Sequence, residues 1–286
     1  SLIVSNPGSN NIRLWNRSGN AKSYYDVYIQ DDRISNLAGD YLNPGNGGDG
    51  TATSISLQYS NSARYNPVDG KVYVLDKGNH CLRSLATDGT LTRVLGNCGT
   101  SGSSGADVVD SALEMNAPTD IGFDSVGNVI IADRGNHRIR YWNKSASAVT
   151  VGSVTISPNH VSIIACLNGS SASGSLNDGI LATSARCSSP TGIAVNSTNI
   201  CFTNMGYHDV RCISLAEDST KGKIYTKAGT PPTSARAGSP YGFEQEGIAG
   251  TSATLYNPTG IAFDAAGDLY IADSQNHIVR KVKLSD

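Results

Sequence analysis

Four of the five histidines in the chain, His80, His137, His208 and His277, occupy one position of an internal repeat. Each stands four residues after Asp76, Asp133, Asn204 or Asp273 and three before Arg83, Arg140, Arg211 or Arg280. A fifth copy carries Asn6, Asn10 and Arg13 at these places. Acid, imidazole and guanidinium together could do general acid–base chemistry. A catalytic histidine is normally unique, however, whereas one present in copy after copy shapes a turn or joins neighbouring units. The acid is expected to accept amide hydrogen bonds at the end of its strand, and the arginine to donate to nearby carbonyls or carboxylates. Other catalytic signals are thin. Glutamate occurs only at Glu114, Glu217, Glu244 and Glu246, and His160 precedes an outer strand. No Gly-x-Ser-x-Gly or phosphate-loop motif stands in a suitable context.

The elements that must position these residues follow from the repeat itself. Residues 257–282 (NPTGIAFDAAGDLYIADSQNHIVRKV) and 117–142 (APTDIGFDSVGNVIIADRGNHRIRYW) match without a gap, and 189–213 is a weaker copy. Each holds an apolar run led by proline, a turn, a second run, a turn ending in histidine, and a third run carrying the arginine. Three short strands in a repeat this long read as one sheet of a propeller. The expected fold is all-β: a single propeller domain over residues 1–286, with five or six blades of mostly four antiparallel strands. Its copies centre on Arg13, Arg83, Arg140, Arg211 and Arg280. With strands named a to d from the axis outward, the first copy lacks a and the last lacks d. Composition agrees with turn-rich β structure: 31 glycines, 38% hydrophobic residues and only 16% charged ones. A net charge of −2 implies no broad attraction to nucleic acid or anionic lipid. No apolar run has the length of a membrane span, and the absence of a signal peptide suggests that residue 1 begins a mature or trimmed fragment.

A second phrase precedes strand a: GDGTATSISL (48–57), NDGILATSARC (177–187), EGIAGTSATL (246–255) and, more loosely, GADVVDSALEM (105–115). Together with NPTGIAFD, GDLYIAD and NHIVRKV, these phrases resemble the NHL-repeat β-propellers of secreted or surface-attached bacterial proteins. The resemblance covers most of the chain and implies the fold. It leaves function open, because such propellers serve as ligand-binding modules, interaction platforms, RNA binders and occasional lyases.

The blade register arranges the six cysteines. Cys201 on strand b and Cys212 on strand c flank one hairpin turn; Cys81 begins a strand c and Cys98 follows the adjacent d; Cys166 ends a strand d and Cys187 lies in the loop to the next blade. The expected bridges are Cys81–Cys98, Cys166–Cys187 and Cys201–Cys212, each contributing about 2–4 kcal/mol and pointing to an oxidising compartment. No CxxC or paired Cys/His cluster suggests zinc.

In a propeller the d-to-a connections and b-to-c turns share one face, and the c-to-d loops emerge on the other. The long d-to-a segments are 40–60, 97–118, 168–190 and 230–258, so that face is the expected binding side. Arg236, Tyr241 and Phe243 lie in the longest, and Tyr41, Tyr59 and Tyr256 in related loops. Such aromatics stack on sugars or anchor peptides, or else pin their own loops. On strand a, Asp120 replaces the glycine of Gly192 and Gly260, and Arg64 replaces the alanine of Ala194 and Ala262. A charge where the repeat wants a small residue needs a partner or water. The candidate ligand residues are therefore Arg64, Asp120, Tyr59, Arg236, Tyr241, Phe243 and Tyr256. The expected function is a non-catalytic extracellular or cell-surface module, reached by a secretory or periplasmic route. It would bind a glycan, protein or peptide, use no cofactor or metal, bind no nucleic acid, insert in no membrane and form part of a larger protein. The alternatives are a propeller lyase or hydrolase with a metal in the channel, or a purely structural scaffold. Four Asn-x-Ser/Thr sequons, at Asn16, Asn143, Asn168 and Asn196, would be compatible with glycosylation.

Overall fold

A computed structural model describes residues 1–40, 42–169, 177–230 and 247–284. The chain is all-β among these residues, a five-blade propeller of antiparallel sheets. Sheet one holds β1 (Leu2–Asn6), β2 (Asn11–Trp15) and β5 (Ile34–Ala38), with a separate hairpin, β3 (Lys22–Tyr24) and β4 (Val27–Ile29), between β2 and β5. Sheet two holds β6 (Gly50–Thr51), β7 (Ser62–Tyr65), β8 (Val72–Asp76), β9 (Cys81–Leu85) and β10 (Thr90–Leu95). Sheet three holds β11 (Val108–Val109), β12 (Asp120–Phe123), β13 (Val129–Asp133), β14 (Arg138–Trp142) and β17 (His160–Ala165). A second separate hairpin, β15 (Val149–Val151) and β16 (Val154–Ile156), lies between β14 and β17. Sheet four holds β18 (Ile180–Leu181), β19 (Pro190–Val195), β20 (Asn199–Asn204), β21 (Asp209–Ser214) and β22 (Lys223–Ala228). Sheet five holds β23 (Pro258–Phe263), β24 (Leu269–Asp273) and β25 (Ile278–Val282).

The chain divides into two compact units. One is Ser1–Ser104 with Val109–Ile121; the other is Gly105–Val108 with Gly122–Asp286. In the first, Ile12, Leu14, Leu37, Leu57, Val72, Val74 and Leu85 form a buried core cluster. In the second, Ile130, Ile139, Ile193, Ile200, Phe202 and Ile213 form one, and Val210, Leu255, Ile261, Leu269 and Ile271 another. Apart from Leu57 and Leu255, which come from the lead-ins to strand a, these residues lie in the strands, where alternation puts one face of each sheet into a core.

The expected four-strand blade acquires a fifth strand in sheets two, three and four, and sheets one and five have three strands. The extra strand is the Gly-rich phrase before strand a. Its two strand residues pair antiparallel to strand d, as in Thr90 with Thr51 and Ile180 with Ile224. The Ala-Thr-Ser that follows forms a 3-10 turn, Ala52–Ser54 or Ala182–Ser184. Its first carbonyl accepts the amide of the residue just after the previous strand d, Gly39 to Ala52 and Cys166 to Ala182, both at 2.9 Å. The phrase is therefore a clip between successive sheets.

All three disulfides form as expected, with Cα separations of 5.1 Å for Cys81–Cys98, 5.7 Å for Cys166–Cys187 and 4.0 Å for Cys201–Cys212. No helix among the described residues is long and apolar enough to cross a membrane. Two sequons are structural. Asn16 and Asn143 are fully buried, and each amide donates to carbonyls around its hairpin: Asn20 and Ile29 for Asn16; Ser147, Ile156 and Ser157 for Asn143. Neither nitrogen is accessible for glycan attachment.

Candidate functional site

The turn between strands b and c is the same in every sheet. A 3-10 turn follows the acid, and its C-cap residue takes the left-handed conformation: Asn10 at φ 51°, His80 at 60°, His137 at 57°, His208 at 58° and His277 at 57°. Histidine and asparagine are among the side chains that tolerate this region best. The ring then reaches to the next sheet's lead-in. Nδ1 of His80 accepts the amide of Ala117 at 2.9 Å, that of His137 the amide of Ser189 at 2.9 Å, and that of His208 the amide of Asn257 at 3.1 Å. Asn10 does the same through Oδ1 to Tyr59, at 2.7 Å. Only an unprotonated nitrogen can accept. Burial lowers the pKa of His137 and His208, with Arg134 adding to the effect at His137, so both favour the neutral form. His80, His137 and His208 are inter-sheet fasteners.

The acids and arginines complete this frame. Asp76 accepts the Gln58 amide at 2.8 Å, the Asn79 side chain at 2.9 Å and Arg83 Nε at 3.1 Å. Arg83 is itself fully buried and donates to the Gly47 carbonyl at 2.6 Å. Asp133 with Arg140 and Asp273 with Arg280 repeat the pair, at 2.7 and 2.8 Å. Arg13 of sheet one is exposed instead. Sheet four departs from the pattern. Asn204 replaces the acid, Arg211 turns to Asp178 at 3.0 Å, and the buried carboxylate sits one strand over at Asp209. Asp209 is paired in register with Asn204, and burial pushes its carboxyl up to about 7.

Of the candidate ligand residues, Arg64 and Asp120 come together. Arg64 donates from Nε to Asp120 Oδ1 at 3.2 Å and from Nη2 to Oδ2 at 2.7 Å, and the Ser62 hydroxyl adds a bond of 2.7 Å. The charges that break the repeat thus form a bidentate pair. The Arg64 side chain stays 39% exposed while Asp120 is 13% exposed. Tyr59 projects an exposed ring from a left-handed backbone beside Asn10. Tyr256 packs edge-on against His208, ring centroids 5.6 Å apart, and so belongs to the fastener. Arg236, Tyr241, Phe243 and Tyr41 lie outside the described residues. Among those described, no three His, Cys, Asp or Glu side chains are placed to hold a metal ion.

Sequence reasoning missed two clefts on the c-to-d side. In the first unit, a space of about 640 Å³ opens between the β3–β4 hairpin, the end of β7 and the turns at Gly70 and Thr87. In the second, about 480 Å³ opens between the β15–β16 hairpin, the end of β19, the turn at Asn196 and the segment at Leu215 and Lys221. The signal for both was present. Trp15-Asn16-Arg17-Ser18 and Trp142-Asn143-Lys144-Ser145 each begin a gapless 25-residue match, ending at Gly39 and Cys166. In both, the cation lies over the preceding tryptophan ring, at 4.8 Å for Arg17 and 5.7 Å for Lys144.

The NHL repeat family model matches residues 255–281. No curated protein is similar enough in sequence to serve as a relative. Among solved structures, the chain is similar to an auxiliary nutrient binding protein from Bacteroides thetaiotaomicron, with 16% identity and TM-score 0.55 over 98% of this chain and 58% of that one. A protein described in the same words from Bacteroides ovatus gives 18% and 0.57, over 96% and 57%. A gluconolactonase from Xanthomonas campestris gives 11% and 0.52, over 98% and 70%. At these identities the likeness is one of fold. The chain spans under three fifths of the length of the two nutrient binding proteins.

Proposed function

Starting from a chain that is an NHL-repeat β-propeller, we propose that residues 1–286 act as one non-catalytic recognition domain of a larger extracellular or cell-surface protein. Its ligand is a glycan or a peptide, met on the face that carries the d-to-a connections. Three disulfides support an oxidising location. The nutrient binding proteins that share the fold fit a binding role.

The observation that carries this reading is the Arg64–Asp120 pair. Sheets four and five place Gly192, Ala194, Gly260 and Ala262 at these positions, yet here a guanidinium is held in fixed orientation with more than a third of its side chain open. A pre-oriented, partly exposed Arg suits a carboxylate or sugar hydroxyl. Exposed Tyr59 belongs to the same first unit and adds an aromatic surface.

The test is a glycan and peptide array read with wild type, Arg64→Ala and Tyr59→Ala, with melting followed for each. A specific binder in wild type, weakened by either substitution at unchanged Tm, is expected. An array without any specific binder moves the assignment to a scaffold. Binding that survives both substitutions displaces the site.

A further inference from the structure

The two clefts share a plan, position for position. In the paired hairpins Tyr24 corresponds to Val151, Tyr25 to Gly152 and Asp26 to Ser153, and at the end of strand a Tyr65 corresponds to Val195. Three lining positions that are valine or glycine in the second unit are thus tyrosine in the first.

The backbone makes Tyr25 the most informative of the three. At the hairpin turn Gly152 has φ 61°, a conformation glycine adopts freely. Tyr25 takes φ 50° and Asp26 φ 64°, two successive non-glycine residues in the left-handed region. For a bulky side chain this is a strained conformation, held only because its surroundings determine it. The turn packs on Gly89, where a Cβ would stand 2.9 Å from Asp26 Cβ and 3.0 Å from the Tyr25 carbonyl oxygen.

The result is an aromatic cleft whose nearby charges, Lys22 by Tyr24 and Asp69 by Tyr25, stand outside its lining. No charged side chain is among its lining residues, which include Ser18, Ser23 and Thr87 as well as the tyrosines. The Tyr24 hydroxyl is committed to Asn16 Oδ1 at 3.0 Å, which sets that ring as a fixed wall, and the Lys22 ammonium already lies 5.5 Å above it. Tyr65 is 51% exposed. Neither its hydroxyl nor that of Tyr25 has a hydrogen-bond partner among the described residues. Burial, then Tyr65 and Asp69, push the Tyr25 phenol up to about 12, so it remains a neutral donor.

Flat rings with free hydroxyls, at a rim of serine and threonine, suit the apolar face and equatorial hydroxyls of a pyranose. A cationic ligand is disfavoured by Lys22 and by the lack of a lining carboxylate. We propose that this cleft is a binding site for a neutral saccharide, stacked on Tyr25 and Tyr65 and hydrogen-bonded by their hydroxyls and by Ser23 and Thr87. It lies on other residues than the Arg64–Asp120 site and does not depend on it. Arg64→Ala tests that site and Tyr25→Gly this one, so either reading can fail alone.

The experiment is saturation-transfer NMR and calorimetry with maltose, cellobiose, lactose and chitobiose, and with tetramethylammonium as the competing class. At least one sugar is expected to bind wild type. Tyr25→Gly installs the residue of the other hairpin and relieves the turn, so Tm should hold or rise while affinity falls roughly tenfold or more. Tyr65→Val should weaken binding to a similar degree at unchanged Tm. No binding by any of the four sugars, binding that survives both substitutions, or tighter binding of tetramethylammonium would each overturn the proposal.

Discussion

Sheets two and four are the same five-strand object built with different chemistry. Each has a short outer strand, a 3-10 clip, a left-handed histidine turn and a disulfide. Sheet two keeps its acid, Asp76, on strand b, with Arg83 and two further donors around it. Sheet four moves the acid to Asp209 on strand c; burial raises the carboxyl in both sheets, and with fewer donors around it that of Asp209 reaches about 7. The clefts beside the two sheets differ as well: Tyr24, Tyr25 and Tyr65 line the one beside sheet two, and Val151, Gly152 and Val195 stand at the matching places beside sheet four, with Asp124, Glu217 and Lys221 adding charge. Backbone geometry common to every copy is set by the left-handed turn and the clip. What varies is where charge and aromatic area are placed on it.

The sharpest way to break this comparison is to remove the arginine from each sheet. Arg83→Ala leaves Asp76 buried without its cation and is expected to cost about 3–5 kcal/mol in urea unfolding. Arg211→Ala should cost less, about 1–3 kcal/mol, because Asp209 can take up a proton and Asp178 is partly exposed. Equal losses would mean that the two sheets do not handle charge differently.

The hairpins come next. In the second unit a Cβ on Gly152 would stand 2.6 Å from the Cα of Gly222, besides the left-handed φ. Gly152→Ala should therefore lower stability by about 1–3 kcal/mol, whereas Tyr25→Gly in the first unit should not lower it. A silent Gly152→Ala would show that the contact relaxes easily.

The fastener can be sharpened at His208. His208→Ala loses the bond from Asn257 and puts alanine at φ 58°, for about 1–2 kcal/mol. His208→Asn should retain most of the stability, as Asn10 makes the same bond in sheet one. The folded pKa of His208 lies below its unfolded value, so its contribution is complete above about pH 6.5 and is lost as pH falls toward the folded pKa. His208→Asn should remove part of that acid sensitivity. Identical pH–Tm curves for wild type and His208→Asn would refute the assignment.

The smallest expected effect is a gain. Asp209 has its folded pKa raised to about 7, so stability is lost as pH climbs from the unfolded value of 3.8 through about 7. Asp209→Asn should raise Tm at pH 8 by a few degrees, each kcal/mol being about 2–4 °C for a chain of this size, and change little at pH 4. A lower Tm at pH 8 would mean that the carboxylate is compensated after all.

The sequence by itself determined the copies, the strand order within each, the cysteine pairing and the structural role of the repeated histidines. The copies, strand order and cysteine pairing rest on spacing along a period-two strand and on a hairpin turn; the role of the histidines rests on their recurrence, since their bonds reach 37 to 52 positions along the chain. Cys201 and Cys212 face one another because they stand equally far from their turn. The tertiary structure alone decided the rest. The Gly-rich phrase reads as loop because a two-residue strand has no period; pairing at Thr51 and Ile180 makes it one. Arg64 and Asp120 are 56 positions apart, and only the fold shows that each is the other's partner. The Tyr24, Tyr25 and Tyr65 cleft depends on a hairpin from one copy reaching the strand end of the next, and on a left-handed tyrosine that no propensity would favour. Local chemistry is legible in the chain, but which distant side chains share a cleft is settled by packing.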